Sequence, residues 1–117
     1  ETLFTASMAT GIGFAVLENI YYLFHVETWN ILDATLRAFG TGLMHGMCTL
    51  LVGAGITFVK KKRKLFWVGT FALLSTAIIY HGIYNMLVQS QYEIIGYLLP
   101  ISTYIPSLIW RLRKKKA

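Results

Sequence analysis

Charge is what this sequence has least of. Charged residues make up 14% of its 117 residues, against about 25% in an ordinary soluble domain. No Asp, Glu, Lys or Arg occurs between Leu65 and Tyr92. That scarcity argues against a water-soluble bundle, because the uncharged segments are as long as a bilayer is thick. Cysteine is nearly absent. Cys48 stands alone, so no intrachain disulfide can form and cysteine usage marks no compartment. The only prolines are Pro100 and Pro106. No basic segment precedes the first apolar run, so that run does not read as a secretory signal peptide. There is no HExxH motif, no GxSxG elbow and no Walker loop. Gly11-Ile-Gly13 is too short for a dinucleotide fingerprint, and there is no internal repeat.

What the chain does have is apolar length. Hydrophobic residues account for 56%, and a helix crossing a bilayer needs about 20 of them in succession. Four runs qualify, at residues 4–25, about 36–59, 65–87 and 94–110. The last is short and holds both prolines, which predicts a kink there. The links are short and polar: residues 25–33, 60–64 and 89–93. Links of that length make successive helices antiparallel neighbours. The expected fold is therefore a single all-α domain over 1–117, a polytopic transmembrane helical bundle of four spans. The chain is expected in the cell membrane as a multi-pass protein.

Orientation follows from the basic residues. All Lys and Arg except Arg37 fall in two clusters, 60–64 and 111–116. An even number of spans separates the clusters, so they share one side. Positive loops stay cytoplasmic, which predicts an N-in, C-in arrangement with the acidic links outside. The net charge of +6 then meets the anionic inner leaflet. Alone, the Lys60–Lys64 run is compatible with nucleic-acid binding or nuclear localisation. Between two spans it is not, and no nucleic-acid partner is expected.

An ionisable side chain at membrane depth is costly and marks a candidate functional site. Glu18, His45 and His81 are such residues. Counted from the outer ends of their spans, they lie roughly 10, 13 and 9 Å deep at 1.5 Å per residue. That common level in the outer half of the membrane predicts that they meet. Asp33, Arg37, Thr41, His45 and Thr49 form a polar stripe at helical spacing, and His81, Asn85 and Gln89 form another. Gly42 and Gly46 form a GxxxG pair beside His45, and Gly11 lies two turns before Glu18, so close helix approach is expected there.

One carboxylate and two imidazoles suit zinc, which makes Glu18, His45 and His81 candidate metal ligands. Without a metal, Glu18 is a candidate general base and the histidines candidate oxyanion donors. The same residues could instead glue helices together by hydrogen bonds. Arg37 is expected to pair with Asp33 or to snorkel to the outer interface. Cys48 reads as a small inert core residue rather than a nucleophile. A haem held between His45 and His81 is a further alternative, though it leaves Glu18, Asn19 and Asn85 without a role.

The run Gly13-Phe14-Ala15-Val16-Leu17-Glu18-Asn19-Ile20-Tyr21-Tyr22 resembles the GFAxxENxxY segment of PrsW-type intramembrane proteases. Arg37 followed by His45 is similar to that family's second block, and His81-Gly-Ile-Tyr-Asn85 to its HxxxN block. The three occur in the family's order, over most of the chain up to about residue 90. The resemblance implies a polytopic membrane endopeptidase related to the CAAX-prenyl-protease and bacteriocin-processing superfamily. Its members are described as metal-dependent or glutamic-type, and the type member acts on a membrane-bound anti-sigma factor. By the same resemblance Glu18, His45, His81 and Asn85 line the active site. The family's EExxK/R block on a preceding helix is not reproduced by Glu1-Thr2, and a longer parent chain carrying it is expected. The alternative within the superfamily is a non-catalytic immunity or peptide-binding protein.

Overall fold

In hydrocarbon every backbone N–H and C=O must find its partner inside the chain, and a helix achieves this within one segment. The computed structural model describes residues 2–28 and 30–116. Glu1, Trp29 and Ala117 lie outside the described residues, as do the side chains of Thr2, Arg111, Lys115 and Lys116. The described residues form four helices and no strand: α1 Thr2–His25, α2 Ile31–Val59, α3 Arg63–Val88 and α4 Glu93–Lys116. Three of them, α1, α2 and α3, are long and apolar enough to cross a membrane.

The helices outrun the apolar segments that predict them. α2 begins at Ile31, five residues before the expected span. Asn30 is the reason. Its side chain accepts a hydrogen bond from the Asp33 backbone N–H at 2.8 Å, and its amide donates to Asp33 Oδ2 at 2.6 Å. This N-cap satisfies a backbone donor that would otherwise be orphaned. Asp33 thus lies in the first turn of a helix rather than in a link, where the helix dipole favours a carboxylate. Glu93 occupies the equivalent place in α4. α4 continues as one helix through Pro100 and Pro106 to Lys116. Pro100 is fully buried. The Leu99 carbonyl beside it accepts from Tyr80 Oη of α3 at 3.2 Å and from Thr103 Oγ1 at 3.0 Å. The tyrosine and the threonine hydroxyls also bond to each other. A polar tie between α3 and α4 therefore sits where proline interrupts the hydrogen-bond ladder.

α2 is the centre of the bundle and packs on the other three helices, while α3 packs on α4. The backbones of α1 and α3 stay apart. Glycines set the approach of α1 to α2. A methyl group on Gly11 would stand 2.6 Å from the His45 carbonyl oxygen, and one on Gly53 would stand 2.9 Å from Ser7 Cβ. The expected Gly42–Gly46 pair does not play this part. Gly46 faces side chains, with Tyr104 Oη 3.2 Å and Met8 Cε 3.5 Å from where its Cβ would be, and Gly42 faces open space.

The exterior is apolar and the interior is small. Ala15, Met44, Met47 and Tyr84 are buried, whereas Phe24 is 83% exposed and Trp67 79% exposed. A water-soluble fold turns such residues inward. Here lipid is the solvent that receives them.

Candidate active site

Glu18 of α1, His45 of α2 and His81 of α3 meet inside the bundle. Glu18 Oε2 lies 2.6 Å from His45 Nε2, and His45 Nε2 lies 3.4 Å from His81 Nε2. One donor atom from each residue falls within 4.8 Å of the other two. Among the described residues they form the one group of three His, Cys, Asp or Glu side chains close enough to share a metal ion. Asn85, one turn beyond His81, brings its amide to 3.4 Å from His81 Nδ1. The matched depths are therefore a real meeting of side chains from three helices.

The hydrogen-bonding capacity of the cluster does not close by itself. A neutral imidazole has one N–H and one acceptor nitrogen. At 2.6 Å from a carboxylate oxygen, His45 Nε2 is a donor and its proton is spent on Glu18. It then has no lone pair for His81. If His81 Nε2 is protonated, two N–H groups face each other. If it is not, its lone pair points into the cluster without a proton of its own. A cation at the centre resolves this, because both Nε2 atoms then offer lone pairs. Tetrahedral zinc with bonds of about 2.0–2.1 Å puts its ligand atoms about 3.3 Å apart. The two Nε2 atoms stand at 3.4 Å. With Nε2 free, His81 Nδ1 carries the proton, and Asn85 can turn its carboxamide to accept it. Such a partner fixes the tautomer of a ligating histidine. The donor types present thus fit a metal ion, with Glu18 Oε2 and His45 Nε2 having to part from 2.6 Å to admit it between them.

Arg37 is placed differently from expectation. Asp33 is occupied by Asn30, and Arg37 instead reaches back to α1. Its Nη2 lies 3.4 Å from Glu18 Oε1, and its guanidinium carbon lies 3.7 Å from the centre of the Tyr22 ring. Guanidinium over an aromatic face is a favourable cation–π contact. The two oxygens of Glu18 are therefore divided, Oε1 toward Arg37 and Oε2 toward the imidazoles. Side-chain exposures are 32% for Glu18, 21% for Arg37 and 15% for His45. Arg37 is two helical turns before His45 and so shares its face, a spacing that places it beside the cluster but does not choose Glu18 over Asp33 as its partner. Phe14 stacks on His45 with ring centres 6.4 Å apart and planes 15° from parallel. His25 takes no part, being stacked on Tyr21 and bonded to the Tyr21 carbonyl. Cys48 is half-buried and directs its thiol to the Ala77 carbonyl at 3.5 Å.

The bis-histidine haem alternative fails on geometry. The His45 and His81 ring centres are 4.6 Å apart, which leaves no room for a porphyrin between them.

One cavity reaches the two imidazoles, and another, toward the acidic end, stops at Arg37. An apolar cleft of about 680 Å³ runs between α1 and α3 over a floor of α2, from Leu3 and Ile56 to Phe14, His45 and His81. A polar vestibule of about 760 Å³, edged by Tyr22, Asp33, Gln89 and Glu93, holds Arg37. Glu18 bridges the two through its contacts to Arg37 and His45.

A family model described as PrsW family intramembrane metalloprotease matches residues 4–111. No individually curated protein and no solved structure matches the chain. The match extends the resemblance beyond the three motif blocks to take in nearly all of α4. Spanning almost the whole sequence and joined to three apolar helices of membrane-crossing length, it makes this multi-pass membrane chain a member of the PrsW family of intramembrane metalloproteases.

Proposed function

We propose that this chain hydrolyses a peptide bond of a membrane-protein substrate at the Glu18–His45–His81 cluster. The observation that carries the reading is convergence. Three donor atoms of zinc-binding type from three helices lie within 4.8 Å of one another, and an apolar cleft lined by His45 and His81 opens onto two of them. The cleft suits the apolar substrate segment, and the polar vestibule lies next to the cluster, with only the Arg37–Glu18 pair between them.

In this reading Glu18, His45 and His81 would hold the zinc ion. A bound zinc supplies Lewis acidity and lowers the pKa of water toward neutrality. Asn85 sets the ring of His81, and Arg37 orients Glu18 by pairing with Oε1. Phe14, stacked on His45, lines the cleft beside the cluster. A second reading rests on the 2.6 Å bond between Glu18 and His45. There Glu18 takes a proton from the attacking water, and the histidines stabilise the oxyanion without a metal. We further propose that α4 is a fourth span and that both basic clusters face the cytoplasm. About 36 Å long by its residue count, α4 packs on α2 and α3, and ten of the eleven Lys and Arg lie at one end of the bundle.

The test uses the full-length protein and a membrane-anchored substrate; the family resemblance makes an anti-sigma factor the first to try. Glu18→Gln, His45→Ala and His81→Ala should each stop cleavage, while the melting temperature in detergent holds. Loss of one oxyanion donor alone costs about 10²–10³ in rate, and loss of a zinc ligand costs more. Metal analysis should find zinc in the wild type and not in the variants. Activity that survives strong chelators would select the metal-free reading. Wild-type cleavage by Glu18→Gln would sink both.

A further inference from the structure

The basic end of the bundle holds a cavity that the reaction does not use. It measures about 760 Å³ and opens between the start of α1, the end of α2 and the end of α4. Lys60, Lys61 and Lys62 of the α2–α3 link reach it from one side, and Lys114 of α4 from the other. These lysines are far apart in sequence, and only the fold brings them together. Two of them are held over the cavity wall by aromatic rings. Lys62 Nζ lies 5.7 Å from the Phe58 ring centre, and Lys114 Nζ lies 4.8 Å from that of Trp110. Cation–π contacts of this kind position an ammonium without neutralising it. Among the described residues no carboxylate pairs with any of the four. Glu18 belongs to the central cluster, and Glu27, Asp33 and Glu93 lie toward the other end of the helices. Below the lysines the wall turns apolar, through Leu3, Ala54, Phe58 and Trp110.

We propose that this cavity is a binding site for one anionic phospholipid. Its phosphodiester would sit among Lys60, Lys61, Lys62 and Lys114, and an acyl chain would lie against Ala54 and Phe58. The argument is complementarity of two kinds in one place. Four unneutralised ammoniums call for an anion with several acceptor oxygens. The apolar wall beneath them calls for hydrocarbon attached to that anion. A free phosphate has no use for the wall, and an acidic peptide has little. The zwitterionic choline head offers no net charge to the lysines. Basic pockets between membrane helices bind anionic head groups by this mechanism. The site depends only on the chain being a membrane protein, so the proteolytic reading could fail and leave it standing.

The test is lipid titration of the intact chain in detergent micelles, read by native mass spectrometry. Phosphatidylglycerol should bind at least about tenfold more tightly than phosphatidylcholine. Each lysine near an anionic surface contributes about fivefold, so Lys62→Gln with Lys114→Gln should weaken phosphatidylglycerol binding roughly 25-fold. Lys64→Gln removes the same charge outside the cavity and should leave the preference unchanged. Ala54→Trp fills the wall, keeps every charge and should also weaken binding; thermal melting checks that each variant is folded. Equal binding of the two lipids would overturn the proposal. So would a loss with Lys64→Gln equal to that with Lys62→Gln, which would mean diffuse surface charge. Displacement of the lipid by inorganic phosphate at equal concentration would mean a simple anion site, and full competition by hexaglutamate would mean an acidic-peptide surface.

Discussion

Glu18 has two carboxylate oxygens, and each has its own partner. Oε2 faces the imidazoles and Oε1 faces Arg37, which rests on Tyr22. Arg37 therefore governs the direction in which Glu18 points. If Glu18 ligates zinc as proposed, replacing Arg37 with Gln should lower zinc affinity and activity about 10–100-fold, the usual cost of losing a partner that orients a ligand. Lys at this position keeps the charge but not the planar stack, so it should recover only part of the loss. Chelator competition on the purified protein measures the affinity. Unchanged zinc retention in Arg37→Gln would show that the pair is incidental. Asn85→Ala should weaken zinc by a similar factor, and Asn85→Asp should restore it, since a carboxylate accepts the His81 Nδ1–H at least as well. At this scale the sequence was readable where polarity met depth. Glu18, His45 and His81 could be found because a buried ionisable group needs a reason. The partner of Arg37 could not. Asp33, one turn away, was the nearer acid, and only the Asn30 cap removes it from competition.

Between helices, contact depends on which small residue faces which neighbour. Gly11 lies against the backbone of His45, and a side chain there would push α1 from α2 at the level of the cluster. Gly11→Ala should destabilise the protein by about 1–3 kcal/mol, as overpacking commonly does, with a lower melting temperature in detergent and reduced cleavage. Gly42→Ala, which meets open space, should melt like the wild type. The reverse ranking would restore the GxxxG pair as the contact. A single helix shows which glycines share a face, but not what stands opposite that face. For that reason the spacing of Gly42 and Gly46 pointed to the wrong approach. The helix ends were legible only to within about two turns, because hydropathy marks where hydrocarbon starts and the Asn30 cap marks where the helix does.

For the molecule as a whole, the distribution of charge is the clearest signal. Both basic clusters and the phospholipid cavity lie at one end, and Asp33 and Glu93 edge the vestibule at the other. If the basic end is cytoplasmic, a membrane-impermeant thiol reagent added outside cells should label a cysteine placed at Gln91 and spare one placed at Lys62, with Cys48 replaced beforehand. The opposite pattern would invert the topology. The all-helical architecture was legible throughout, since apolar runs of spanning length leave few other choices in a bilayer. The arrangement of the helices was not. Short links fix neighbours in sequence but leave open which non-sequential pairs touch, and the separation of α1 from α3 appears only in three dimensions.

In the proposed reaction that separation bears on the state in which a substrate is cut. The apolar cleft left between α1 and α3 runs from Leu3 to His81, so a segment lying in it meets the imidazoles at one end only. In that reaction a helical segment would have to open its own backbone hydrogen bonds to present a peptide carbonyl to the imidazoles, and unwinding would become part of the barrier. Sequences that hold their coil weakly are then consumed first. An Ala→Gly exchange beside the scissile bond, worth about 1 kcal/mol of helix propensity, should speed cleavage by up to about fivefold, and discrimination would rest on the fragility of the target rather than on its side chains.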